Sequence, residues 1–352
     1  MKNAKELSIK LRAISIKNYK SIDYLEVDFP MPILAGDPDI LVMGSENGLG
    51  KTSIIECCAL LLISLNIGDK EFKLKDRYSS IDIPDLLIRA GKDRSDISGE
   101  FTVNNKDLHV ELHINKNGIL CIDTNNKDIH FADMEDDINE IIKTICGFSP
   151  NPVITNSFLL FHSYRKVQEG NPELGMMVQD LHSIRKSTHR QIDSPLSEFK
   201  LLILKSLMNK ADLFELSSKN EPENTIEKLN ELVTFYAGGT ISKLRPSAKN
   251  TVDFRITPTN GGESITFDGL SSGQKEIIST LFLIWYHSKN NPLVVFIDEP
   301  ELHLNAQWHR NFINHLIKLA PQNQYIVATH SEDIMDSVSQ EQRILLLKED
   351  DS

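Results

Sequence analysis

The sequence predicts an α/β protein with a mostly parallel core sheet, an antiparallel β lobe and an inserted helical lobe. Three observations predict it. A short apolar run at 40–43 precedes a glycine-rich loop and an apolar helical stretch from Thr52 to about Leu65. A second apolar run, LVVFI at 293–297, ends in two carboxylates and is followed by further helical and strand patterns. Between these ends, from Lys166 to about Tyr236, the pattern turns helical and more polar, with breaks at Asn171-Pro172, Ser194-Pro195 and Glu221-Pro222. Strands alternating with helices at both ends imply one mostly parallel sheet split by an insertion.

Taken in order, Leu11, Ala13, Ile14 and Ile16 form a strand, and Leu25, Val27 and Phe29 alternate as a second. Residues 97–131 read as an antiparallel meander: Phe101 and Val103 alternate, as do Leu108, Val110, Leu112 and Ile114, and Asn115–Gly118 makes a turn. A helix is expected over 133–147 and a strand over Ser157–Phe161. Leu196–Phe214 is an apolar helix, read as core or as a partner-docking surface. Strands return at Thr251–Thr257 and Ser264–Phe267, then a helix near 274–287. Beyond the apolar run come a helix at Ala306–Leu319, a strand at Tyr325–Ala328, a short helix and a strand at Ile344–Leu347.

The 352 residues carry 38 Lys+Arg against 50 Asp+Glu, a formal charge of −12. That balance argues against a protein that coats nucleic acid over its whole surface, and leaves room for a local basic patch. Cys57, Cys58, Cys121 and Cys146 form no CxxC pair, and the first two fall in an apolar helix. A reducing compartment fits better than a disulfide framework. The opening MKNAKELSIKLRAISIKNYK lacks the apolar region of a secretory signal, and Ala59–Leu65 is too short to cross a bilayer. A soluble, cytoplasmic protein is expected.

The segment GSENGLGKT carries the first chemistry. Counting back from Lys51, the first glycine of the strict G-x4-G-K-[ST] pattern falls on Ser45, while Gly44 lies one residue too early. Ser45, Glu46, Asn47, Gly48, Leu49, Gly50, Lys51 and Thr52 are the candidate cradle, in which backbone N–H groups and a helix N-terminus would hold phosphates. Lys51 would reach the β- and γ-phosphates, and the Thr52 hydroxyl would ligate Mg²⁺. The bland reading is a glycine-rich turn with an exposed lysine. In LVVFIDEP, Asp298 and Glu299 stand at a strand's C-terminal end, where α/β ligand sites lie. Asp298 would serve the Mg²⁺ shell, and Glu299 would orient or deprotonate a water.

With Leu270-Ser271-Ser272-Gly273-Gln274, Asp298-Glu299 and Ala328-Thr329-His330-Ser331 added to the loop, the chain resembles ABC-type ATPases in signature, Walker B and switch histidine. DEPELHLN and the helical insertion make it similar to the SMC/RecF/OLD-like branch, and within it to the small ATPases of anti-phage systems such as Septu. The resemblance implies ATP and Mg²⁺ as cofactors. It also implies a homodimer, or a higher oligomer built from it, in which Ser271, Gly273 and Gln274 complete the partner's site, and a catalytic Glu299 with His330 sensing the γ-phosphate. Gln168 would be the glutamine that links Mg²⁺, together with Thr52 and Asp298, to lobe movement. The implied domains are an N-terminal ATPase lobe at 1–165, a helical lobe at 166–236 and a C-terminal lobe at 237–352.

Three residues depart from the family pattern: Ser45, expected to alter the loop's turn or slow hydrolysis, Ser272 in the signature, and Asn305 in place of an aspartate. Apart from the resemblance, His182, Arg185, Lys186, His189 and Arg190 fall on one helical face. That stripe reads as a grip on a nucleic-acid backbone or as a solvated face. The expected function is an ATP-gated dimeric switch for a separately encoded effector, a nuclease, in antiviral defence. The alternative is a RecF- or SMC-like DNA-repair ATPase, although the absence of long heptad arms speaks against an SMC rod. No membrane partner is expected.

Overall fold

The computed structural model describes residues 8–34, 36–45, 48–67, 72–73, 86–115, 119–124, 138–147, 151–165, 198–210, 224–241, 244–246, 252–302 and 304–346. The chain divides into two compact units, residues 1–165 with 290–352, and residues 166–289.

The first unit opens with β1 (Ile9–Tyr19), β2 (Ile22–Asp28), β3 (Asp39–Ser45) and α1 (Lys51–Ile67). It continues through β4 (Phe72–Lys73), β5 (Arg94–Val103), β6 (Lys106–Asn115), β7 (Ile119–Thr124), α2 (Ile138–Ile145), β8 (Val153–Ile154) and β9 (Phe158–Phe161). The second unit holds α3 (Glu198–Lys210), α4 (Thr225–Ala237), β10 (Gly239–Thr240), β11 (Leu244–Pro246), β12 (Val252–Pro258), β13 (Ile265–Thr266) and α5 (Ser272–Ser288). The chain then returns to the first unit with β14 (Val294–Asp298), α6 (Ala306–Leu319), β15 (Gln324–Thr329), α7 (Glu332–Met335) and β16 (Arg343–Leu346).

The core sheet runs β16-β3-β15-β14-β9-β8, parallel except for the β8–β9 edge. Every residue of β3, β14 and β15 is buried, which is why these strands are continuous apolar runs rather than alternating ones. A second sheet, β2-β1-β5-β6-β7-β4, is antiparallel. In β6 the buried Leu108, Val110, Leu112 and Ile114 alternate with partly exposed residues. Sequence periodicity showed β1 and β2 and the meander as separate features. Their union through pairs such as Ile16↔Ile97 is long-range and leaves no local mark.

Helix α1 touches β1, β5 and β6 of one sheet and β3, β14 and β15 of the other. A helix packed by sheets from both sides must be apolar all round. Ile54, Ile55 and the run Cys57–Ile63 are fully buried, each Leu or Ile being worth about 1.5–3 kcal/mol of transfer free energy. Cys57, Cys58 and Cys146 are buried free thiols. No helix among the described residues is long and apolar enough to cross a membrane.

In the second unit, Phe199 of α3 packs on Phe267 and on Phe282 of α5, with ring centroids 5.1 Å apart in each case. Leu201, Leu202, Ile203 and Leu204 are buried, so this stretch of the apolar helix is core and not a docking face. β12 pairs with β10, β11 and β13. The expected strand at 264–267 is shorter than its pattern suggested, because Phe267–Gly269 turns into a 3-10 helix just ahead of Ser271.

Candidate nucleotide-binding site

β3 ends at Ser45 and α1 begins at Lys51, so strand, loop and helix follow one another as the sequence predicts. Gly48 and Gly50 have φ of +84° and +88°, the left-handed region in which a side chain is strained. Gly50 is also crowded: a Cβ there would lie 3.0 Å from Ile22 Cγ1. Gly44 serves another end. A Cβ on it would meet Met335 Sδ of α7 at 2.9 Å, so it is a packing glycine of β3.

Ser45 stands at the junction of strand and loop. It is the last residue of β3 and pairs with Leu346. Its hydroxyl accepts a hydrogen bond from Lys51 Nζ at 2.7 Å, and its carbonyl accepts a longer one at 3.2 Å. Lys51 Nζ also lies 2.9 Å from His330 Nε2 and 3.3 Å from Nδ1. His330 Nε2 is in turn 3.3 Å from Glu299 Oε1. Both ring nitrogens thus face Lys51 Nζ, and the nearer one, Nε2, also faces the Glu299 carboxylate. Desolvation lowers the Lys51 pKa, and the carboxylates Glu299, Asp298 and Glu301 oppose it.

Asp298, fully buried at the end of β14, accepts a hydrogen bond from Thr52 Oγ1 at 2.9 Å through Oδ2. Its Oδ1 is buried without a hydrogen-bond partner of normal geometry. Desolvation pushes the pKa of this carboxyl up to about 6, with Thr52, the nearby Ser163 and Arg165 opposing. A hydroxyl and an unsatisfied carboxylate oxygen side by side are the hard donors a divalent cation takes, so Thr52 and Asp298 fit Mg²⁺.

Glu299 has φ of +46°, uncommon for any side chain and doubly so for a residue that precedes a proline. Its N–H donates to Ala328 O at 2.8 Å, extending the β14–β15 ladder by one residue. The buried Arg165 donates through Nη1 to the carbonyls of His162 and Asp298, both at 2.8 Å, and through Nη2 to that of Glu299 at 3.5 Å. Glu301 accepts from the Thr329 hydroxyl at 2.7 Å and from the His330 N–H at 2.5 Å. Neither Arg165 nor Glu301 emerged from the sequence. Glu301 had a signal, standing three residues past Asp298 in DEPEL; Arg165, in SYRK after β9, had none.

The structure thus brings Ser45, Lys51, Thr52, Asp298, Glu299 and His330 together, with Gly48, Leu49 and Gly50 in the adjoining loop. Glu46, Asn47, Gln168 and the basic residues His182, Arg185, Lys186, His189 and Arg190 lie outside the described residues. Ser271, Gly273 and Gln274 belong to the second unit, at the start of α5. Ser271 is its N-cap and Gln274 completes a capping box, while Gln274 Nε2 donates to Tyr236 O at 3.0 Å. Asn305 caps α6, its side chain accepting from Gln307 N–H at 3.0 Å.

A glycine loop entering a buried helix beside a strand-end carboxylate pair is the site of a nucleotide-binding ATPase. A family model described as an AAA ATPase domain matches residues 159–335, half of the chain, and the chain belongs to that family. The Retron Vc95 probable ATPase of Vibrio cholerae serotype O1 biovar El Tor is 32% identical over 97 residues. That match covers 25% of this chain and 19% of the relative, so the chain spans about a fifth of that protein's length. Among solved structures, the fold is similar to an SMC head bound to the C-terminal winged-helix domain of ScpA. The TM-score is 0.54 at 16% identity, covering 93% of this chain and 91% of that one. An SMC head with an extended coiled coil, bound to a ScpA domain derived from Pyrococcus furiosus, gives 0.52 at 14% identity and covers 94% and 92%.

Proposed function

We propose that this ATPase is a dimeric switch that binds and hydrolyses ATP to control a separately encoded effector, a nuclease, in antiviral defence. The observation that carries the ATP chemistry is the set Lys51–His330–Glu299 beside Thr52–Asp298, drawn from the start of α1 and the ends of β14 and β15. Lys51 and the loop N–H groups bind phosphate. Thr52 and Asp298 would hold Mg²⁺, which would supply positive charge against the phosphates. Glu299 takes the proton of the attacking water, and His330, 3.3 Å from Glu299, senses the γ-phosphate.

The regulatory half of the reading is supported by the likeness of DEPELHLN and the signature to anti-phage ATPases. It is also supported by the likeness, over 97 residues, to a relative named as a retron's probable ATPase. The dimer is supported by the likeness of the signature and by Ser271, exposed at the N-cap of α5, whose hydroxyl is shared with Gln274 while Gly273 lies buried behind it.

The test is steady-state hydrolysis of Mg-ATP beside equilibrium binding of a fluorescent ATP analogue. Lys51→Ala should abolish binding. Glu299→Gln should bind as wild type while turnover falls about 10²- to 10⁴-fold. Glu299→Gln turning over at the wild-type rate would remove Glu299 as the base. Co-expression with neighbouring open reading frames, scored for phage resistance and nuclease activity, tests the effector.

A further inference from the structure

We infer that Arg165 is a positioning residue for hydrolysis, holding the backbone of Glu299 so that its carboxylate meets the water. The inference rests on the reading of Glu299 as the base.

The peptide groups flanking Glu299 show why such a residue is needed. With φ at +46° ahead of Pro300, Glu299 occupies a conformation that its own sequence disfavours twice. Such a conformation persists only where neighbours over-determine it. The 298–299 peptide is held from both sides, its N–H by Ala328 O at 2.8 Å and its carbonyl by Arg165 Nη1 at 2.8 Å. The 299–300 peptide has no N–H, because residue 300 is proline, so its carbonyl is the one polar handle available. Leu302 N–H takes that handle at 3.2 Å, and Arg165 Nη2 also reaches it at 3.5 Å.

Arg165 is itself fixed by a bond from Nη1 to His162 O at 2.8 Å, which ties the end of β9 to the end of β14. A planar fork can address consecutive carbonyls at once, and an ammonium cannot. Without the fork the Asp298 carbonyl loses its 2.8 Å donor, Ala328 and Leu302 alone hold Glu299, and its carboxylate is freer to shift from His330, now 3.3 Å distant.

The test uses the full-length chain with Arg165→Lys, Arg165→Ala, Glu299→Gln and the Arg165→Ala/Glu299→Gln double variant. Single-turnover hydrolysis of Mg-ATP is measured alongside binding of a fluorescent ATP analogue. Arg165→Ala should lower the hydrolysis rate about 10- to 100-fold, as a displaced catalytic group does, with binding changed only a few-fold. Arg165→Lys should fall between it and wild type. In the Glu299→Gln background Arg165→Ala should cost almost nothing more, since the two act as one unit.

Losses that multiply in the double variant would overturn the inference, as would wild-type rates for Arg165→Lys and Arg165→Ala beside a collapsed Glu299→Gln. Wild-type turnover of Glu299→Gln would instead overturn the base assignment, and this inference with it. If Arg165→Ala does not fold, the same cycle is run with Arg165→Lys.

Discussion

Lys51 Nζ lies 2.9 Å from His330 Nε2, a contact closed between residues 279 apart in sequence. Ser45 Oγ holds the same ammonium at 2.7 Å, so three side chains share one charge where phosphate is to bind. Arriving phosphate must take over Lys51's bonds, and His330 is then released toward it. His330→Ala should therefore bind an ATP analogue within a few-fold of wild type and hydrolyse ATP about 10²-fold more slowly, the usual cost of one lost donor. Equal turnover would assign His330 a purely structural place.

Composite sites are testable by mixing. Lys51→Ala and Ser271→Arg are each expected to be inactive alone. A mixed dimer carries one site with both changes and one with neither, so activity should return on mixing. Recovery of roughly a quarter to a half of wild type follows if one intact site suffices. No recovery, with subunit exchange demonstrated, would count against independent composite sites.

The basic stripe makes a salt-dependent prediction. If Arg185, Lys186 and Arg190 contact three phosphates, the log–log slope of affinity against salt is roughly −2 to −3. Changing all three to Glu should flatten that slope, weaken binding alike for unrelated sequences, and leave ATP turnover intact. Unchanged binding of DNA and RNA would make the stripe a solvated surface.

Acid stability should depend on His162. The ring is buried, its Nε2 lies 2.6 Å from Thr144 O, and its Nδ1 has no partner, so a second proton finds no acceptor. Desolvation holds its pKa down to about 4, against 6.5 for the free side chain. Below 6.5 the unfolded chain therefore binds the proton that the fold refuses, and stability falls as pH drops toward 4. The loss approaches about 3 kcal/mol at pH 4. Denaturant melts of His162→Gln, which keeps a donor for Thr144 O, should show a flatter profile between pH 4 and 6.5; an unchanged profile would place the titrating group elsewhere.

What the sequence made legible follows from how each signal is generated. β3, β14 and β15 were visible because strands covered on both faces must be apolar throughout, and α1 because it is enclosed by two sheets. Gly48, Gly50, Lys51 and Thr52 were visible because phosphate chemistry fixes their spacing. Ser45 was legible as a position in the loop pattern, but the hydrogen bond it accepts from Lys51 Nζ was not, since it depends on how the end of β3 faces the start of α1. Ser271 and Gln274 were read for phosphate, although Ser-x-x-Gln before an apolar run is also a capping box, which is what they form. Arg165 and Glu301 act on carbonyls and N–H groups brought near by the fold, and backbone partners carry no residue type to recognise.

The strand order has a consequence for synthesis. β3, which ends at the nucleotide loop, lies between β15 and β16, two strands made near the close of the described chain. A nascent polypeptide emerging from the ribosome holds Ser45 and Lys51 long before Asp298 and His330 exist to meet them. Until then β3 has no neighbour on either edge, and the entropy of closing so long a loop opposes early assembly. Nucleotide affinity is thus a property only of the finished chain, and the cell's standing pool of ATP favours completed molecules over truncated ones. In refolding experiments, analogue binding should return with the slowest phase, after the β1–β2 and β5–β6 hairpins have formed.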